Sequence, residues 1–291
     1  MKPARALWQF GEPVHAVVYY APEVRARTDA LGLKGGWMSY FGCRASPLGA
    51  VGAPVVRALF YNFHPDMVGR AVPDVWARAT PGALVEARLG AMDAALRRVL
   101  GDDVVASPST GRAAELAAAA VARTDMAGRT LGCANQALPE PGEAHLRLWQ
   151  ALTALREFRG DGHVLRLMEA GISPAAALVL QAATGRSPED GLRSHRGWSG
   201  DDWAAAAAAL EGQGLVDGAM AITAAGRRLR QAIEDDTDRL AAPPVAGLGD
   251  ERTEELIGLL RPLARRVMDA GAIPAHNNMG VPWPPPGAGA G

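Results

Sequence analysis

Between residues 77 and 148 the chain carries no aromatic residue, and that gap constrains the fold more than any other feature. A stretch this long, built largely from alanine, leucine and arginine, buries apolar surface only by laying small-faced helices close together. "GALVEARLGAMDAALRRVL" sets Leu84, Ala87, Leu89, Met92, Leu96 and Leu100 near a 3.6-residue period and predicts one helix. "STGRAAELAAAAVARTDM" predicts a second, with Ser109 or Thr110 as its N-cap. "LPEPGEAH" is loop by its prolines and glycine. A helix resumes at "HLRLWQALTALREFRG" and is expected to end at Gly160.

The aromatic residues lie mostly upstream. Residues 1–76 hold eleven of the sixteen, including all four tyrosines. Downstream of 161, short helices are expected at "GHVLRLMEAG" and at "SPAAALVLQAATG", the latter with Ser173 as cap and Pro174 in the first helical position. "SPEDGLRSHRGW" opens with the same Ser-Pro pair. A helix from Gly200 to Glu211 should follow, then "GLVDGAMAIT" as two short strands around a turn, then a helix capped by Thr223 and stopped at "AAPP". A last helix, kinked or split at Pro262, precedes a Pro/Gly-rich tail. The expected divisions are 1–148, an aromatic-rich helical region; 149–245, a helix-turn-helix region; 246–271, a C-terminal helix; and 272–291, the tail.

Composition excludes several classes. At 291 residues, 48% hydrophobic and 21% charged, the chain can bury a core without staples. The start, "MKPARALWQFGEPVHAVVYY", lacks the uninterrupted apolar run of a signal peptide, and no segment has the length of a membrane span. Cys43 and Cys133 lie far apart and form no metal or disulfide pattern, so a reducing cytoplasm is the expected setting. No P-loop, nucleophile elbow or dinucleotide fingerprint is present, and no organic cofactor is expected.

The run "ALEGQGLVDGAMAITAAGRRLRQAI" resembles the second half of a MarR-like winged helix, with Leu210, Gly214, Leu215, Val216, Ile222, Thr223 and Gly226 at the matching positions. The whole chain also resembles an actinobacterial helix-turn-helix family of about this length, through "EPVHAVVYY", "FYNFHP", "RGDGHV" and "TDRLAAPP". That resemblance implies a fold, since the family has no established general activity. The expected fold is mainly α: a helical N-terminal region joined to a MarR-like winged helix with a short β-wing.

A winged helix that reads DNA presents polar or cationic side chains to base edges. Here, with Trp203, Ala206, Ala207 and Leu210 turned inward, the outward face is Ala204, Ala205, Ala208, Ala209 and Glu211, behind Asp201 and Asp202. Across 161–240 eight arginines stand against twelve carboxylates, a net charge of −4, where phosphate binding needs cations. Arg186, Arg193 and Arg196 are the best remaining phosphate contacts. A regulator built this way is expected to be a homodimer, because symmetric operators need two heads.

The aromatic region is the better place for a site. Buried tyrosine hydroxyls need partners, so their clustering implies a polar lining inside apolar walls. "EPVHAVVYY" puts Glu12 and His15 on one helix face, but one Glu-x-x-His pair is only half of a bundle metal motif, and no metal site is expected. Arg156, Glu157, Arg159, Asp161 and His163 gather in "REFRGDGHV". The chain is therefore expected to bind a small apolar or aromatic molecule between its N-terminal region and the winged helix. The candidate lining is His15, Tyr19, Tyr61, His64, Arg159 and His163, with histidine acid–base chemistry left open. The alternative is a ligand-responsive, MarR-like DNA-binding regulator.

Overall fold

A hydroxyl residue followed by proline opens helix after helix. Thr80 precedes Pro81, Ser107 precedes Pro108 and Ser173 precedes Pro174, and each hydroxyl accepts a backbone N–H three residues on, at 3.2, 3.2 and 3.3 Å. Proline's fixed φ suits the first helical turn, and the N–H it lacks has no partner there. The structure is a computed structural model that describes residues 1–291 except 186, 275, 276, 278, 282 and 285–291.

The helices run in chain order as α1 (Pro3–Tyr20), α2 (Pro22–Ala30), α3 (Gly35–Ala45), α4 (Ala53–Leu59), α5 (Pro65–Gly69), α6 (Pro81–Leu100), α7 (Asp102–Val105) and α8 (Pro108–Ala122). Then come α9 (Thr130–Gln136), α10 (Ala144–Glu169), α11 (Pro174–Ala182), α12 (Glu189–Ser194), α13 (Gly200–Gly212), α14 (Ala224–Leu240), α15 (Pro243–Leu248) and α16 (Asp250–Asp269). The fold is mainly helical, as expected.

Three expectations are corrected. The β-wing does not form: among the described residues the segment after α13 makes only one bridge, Val216 to Ile222. The Asp217 carboxylate instead accepts the N–H groups of Ala219 and Ala221, at 3.0 and 2.9 Å, and Met220 turns left-handed at φ 61°. That local turn uses the backbone groups that two strands would have paired. Ser107, not Ser109 or Thr110, caps α8. Finally, α10 does not end at Gly160 but runs on to Glu169, through Gly160 and Gly162. A Cβ at Gly162 would meet the Arg129 guanidinium, so this glycine serves close approach, not termination. Pro262 likewise sits inside the single helix α16.

Two cores share α10. The larger one joins its first two turns and middle, with Trp149 and Phe158 fully buried, to α1, α6, α8 and the returning α16. The smaller gathers Leu178, Leu192, Trp203 and Leu210 from α11, α12 and α13, with Leu167 from the end of α10. Aromatic and backbone contacts lock the two together. Tyr61 donates to the Ile172 carbonyl at 2.6 Å, Trp198 donates to the Asn62 carbonyl at 2.9 Å, and the His64 N–H donates to the Arg196 carbonyl at 2.8 Å. Among the described residues no single helix is long and apolar enough to cross a membrane.

Candidate ligand cavity

A cavity of about 360 Å³ lies inside the larger core, walled by α1, α2, α3, α6 and α10. Its walls follow from helix periodicity. His15 and Tyr19 are one turn apart on α1, as are Ser39 and Cys43 on α3 and Trp149 and Thr153 on α10. Tyr20, Arg25 and Gly36 also line it, and Tyr20 is one of the few large apolar side chains left exposed.

Hydrogen bonds fix the tautomer of His15. The Thr153 hydroxyl donates to the Trp149 carbonyl at 2.8 Å, so its oxygen must accept from His15 Nδ1 at 3.0 Å. His15 Nε2 is then an acceptor, and the Tyr19 hydroxyl donates to it at 3.0 Å. Burial, reinforced by the positive charge of Arg156, holds the His15 pKa well below 6.5. The ring is neutral, stacked on Trp149 and edged by Tyr19.

Buried charge surrounds this group. Arg44 grips Glu157 through two hydrogen bonds of 2.8 and 2.9 Å, and Arg156 donates to Glu157 at 2.9 Å. Burial alone would raise the Glu157 carboxyl, but Arg44 and Arg156 outweigh it and hold it well below the usual carboxylate range. Burial does win at Glu12, whose pKa is raised although Arg156 stands 3.5 Å away. The Glu12 Oε2 atom has no hydrogen-bond partner. Cys43 is a buried thiol pushed up to about 11 by desolvation, so it stays protonated and inert at neutral pH.

Arg88 completes the lining and is 5% exposed. It donates to the Cys43 carbonyl at 3.1 Å and to Asn135 Oδ1 at 3.4 Å, and lies 5.3 Å over the Trp149 ring. Its Nε–H has no partner, and no described carboxylate pairs with it.

Of the six expected lining residues, His15 and Tyr19 line this cavity and the other four do not. Tyr61 bonds to Ile172 across the two cores. His64 caps α5, accepting the Asp66 N–H at 3.2 Å, and meets the Trp198 ring edge-on at 4.9 Å. Arg159 pairs with Asp238 at 2.9 Å, and His163 bonds to Thr237 at 3.0 Å. Among the described residues none beyond Glu157 lines the cavity, and Phe60 and Phe63 pack on Tyr40 and Phe41. Among the described residues no group of His, Cys, Asp and Glu could hold a metal ion.

Sequence reasoning missed Arg88 although a signal was present. Arg88 falls between Leu84 and Met92 on the apolar stripe of α6, and a charge at that spacing is out of place unless something buried requires it. Arg44 carried no such mark.

Of the expected phosphate contacts, Arg186 lies outside the described residues. Arg193 is ion-paired with Asp190 at 3.2 Å, and Arg196 lies 4.6 Å over the Phe63 ring. The buried face of α13 is Trp203, Ala206 and Leu210; its exposed face is alanine with Glu211, and Ser199 with Asp202 forms a capping box at its start. No curated protein and no solved structure matches the chain. The model of a helix-turn-helix family does match, over residues 4–274, and the chain belongs to that helix-turn-helix family.

Proposed function

We propose that this protein binds a small molecule with an aromatic or apolar body in the cavity beside His15, Tyr19 and Tyr40. The observation that carries the reading is a largely apolar cavity, with Tyr20, Arg25 and Gly36 at its exposed rim, whose inner wall includes a buried cation, Arg88, with an N–H that has no partner. Unpaired buried donors cost free energy, and cavities with a few convergent polar groups in aromatic walls are the usual form of a ligand site. Binding, not turnover, is the function proposed. His15 is neutral and both its nitrogens are engaged, and Cys43 is protonated.

The test is saturation-transfer NMR with indole, 2-naphthol and 2-naphthamide. At about −0.3 kcal/mol per heavy atom, probes of this size should bind at about 1–10 mM or tighter. Ser39→Met, which extends a side chain from the wall into the space, should abolish transfer while circular dichroism stays unchanged. Equal transfer in wild type and variant, or none from any probe in wild type, sinks the reading.

Family membership favours a second reading, a MarR-like, ligand-responsive DNA-binding regulator acting as a homodimer. In it α13 takes the recognition position and the Asp217–Ala221 turn replaces the wing. The acidic start and alanine face of α13 weigh against strong DNA reading. Anisotropy of a labelled duplex at about 50 and about 200 mM salt separates the two, because phosphate-driven binding weakens steeply over that range.

A further inference from the structure

The charges at the inner wall of the cavity do not balance. Arg44 and Arg88 stand on its wall with one carboxylate, Glu157, and behind that wall Arg156 lies between Glu157 and Glu12, so three guanidinium groups face two carboxylates. Arg44 and Arg156 have those carboxylates as partners, whereas Arg88 has only neutral ones, the Cys43 carbonyl and the Asn135 amide. Protonation of Glu12 would enlarge the excess, so either state of that residue leaves a surplus of positive charge. A buried cation without a counter-charge is costly, and helices that retain one usually do so because something else supplies the charge.

Tyr40 adds a second donor. Its hydroxyl oxygen accepts from Arg44 Nη1 at 3.0 Å, which leaves its own proton without a described acceptor. Tyr19 spends its proton on His15, and so offers the cavity only a weak acceptor. The Glu157 carboxylate also lines the space, but Arg44 and Arg156 occupy both its oxygens, so the polar groups left to a ligand are mainly donors, while Trp149, Tyr19 and Val18 supply apolar walls. Donors at one place and apolar walls at another describe an amphipathic anion.

We propose that the ligand is a small aromatic or apolar carboxylate whose anionic group pairs with Arg88 and takes the Tyr40 hydroxyl as a further donor. This rests on the cavity reading above and adds the charge class. Arginine suits the task because its guanidinium carries five N–H donors, of which the Cys43 carbonyl and the Asn135 amide engage two.

The experiment compares 2-naphthoate with 2-naphthamide, two probes of one shape and different charge, by isothermal titration against the full chain. A charge-assisted hydrogen bond predicts about ten-fold to a hundred-fold tighter binding of the carboxylate. Arg88→Gln should erase that preference, bringing the two probes to equal affinity, and Arg88→Lys should restore much of it. In wild-type protein labelled at arginine Nε, 2-naphthoate should shift a buried Nε–H resonance that 2-naphthamide leaves in place. That measurement decides the matter even if Arg88→Gln does not fold. Equal affinities for the two probes would overturn the anionic assignment and leave the cavity reading intact. A preference that survives Arg88→Gln would overturn the role of Arg88. Failure of both probes to bind would remove the cavity reading, and this proposal with it.

Discussion

Arg44 and Glu157 meet through two parallel hydrogen bonds, 2.8 and 2.9 Å long, that tie α3 to α10 beside the cavity. Glu157 is 1% exposed and also receives Arg156, so one carboxylate compensates two buried cations. Removing a single partner from such a group strands charge in a poorly solvated interior. Glu157→Gln is expected to destabilise the fold by about 3–5 kcal/mol. Arg44→Met with Glu157→Leu together should cost less than the sum of the two single changes. Urea denaturation of the four proteins measures the coupling, and strict additivity would mean the pair is not an energetic unit.

His15 gives the fold a defined acid sensitivity. Its folded pKa lies well below 6.5, so below that value the unfolded chain takes up a proton that the folded chain refuses. The stability it contributes is complete above about pH 6.5 and is lost as pH falls toward the depressed folded value. Between about pH 7.5 and about pH 5.5 the urea midpoint should drop, and it should drop less in His15→Gln. An equal drop in both proteins would show that His15 is not held neutral.

How much of this was legible in the sequence depends on which physical signal each element carries. Helices α6, α8, α11 and α14 announce themselves by apolar period, α11 and α14 also by their Ser173 and Thr223 caps, and their interiors lie where the pattern puts them. The continuity of α10 was hidden, because Gly160 and Gly162 look like a stop. Their reason is tertiary: Arg129 reaches over Gly162 to donate to the Phe158 carbonyl at 3.3 Å and to the Leu240 carbonyl at 3.0 Å. The wing was misjudged for the opposite reason, since the carboxylate of Asp217 settles the turn locally. For the candidate site, the clustering of tyrosines marked α1 and α3, two of the helices that wall the cavity. Tyr19 is a local partner of His15, but Thr153 and Trp149 come from 138 and 134 positions away, and no local pattern reveals such a meeting.

On DNA, the exposed chemistry predicts weakness. Arg193 is committed to Asp190 and Arg196 lies against Phe63, leaving Arg227 and Arg228 as exposed arginines near the start of α14. Two phosphate contacts correspond to a slope of about −1.8 in log affinity against log salt, far shallower than that of a protein making six or more. Arg227→Gln with Arg228→Gln should flatten even that. A steep slope that survives the double change would mean that another surface holds the phosphates.

Gly197 tests whether the two cores act as one. It sits in the turn between α12 and α13 at φ 78°, and a Cβ there would stand 2.9 Å from the Met67 Cβ. Alanine is thus penalised twice, by about 1–2 kcal/mol for the left-handed backbone and again by the contact with α5. Relief comes most directly from backing the helix-turn-helix away from α5, which would also stretch the bonds from His64 to Arg196 and from Trp198 to Asn62. Gly197→Ala is therefore expected to speed amide exchange in α11, α12 and α13 while α1 and α8 keep their protection. If exchange rises equally in both halves, the cores unfold as a single unit. A ligand in the larger core could then influence the helix-turn-helix only by stabilising the whole molecule.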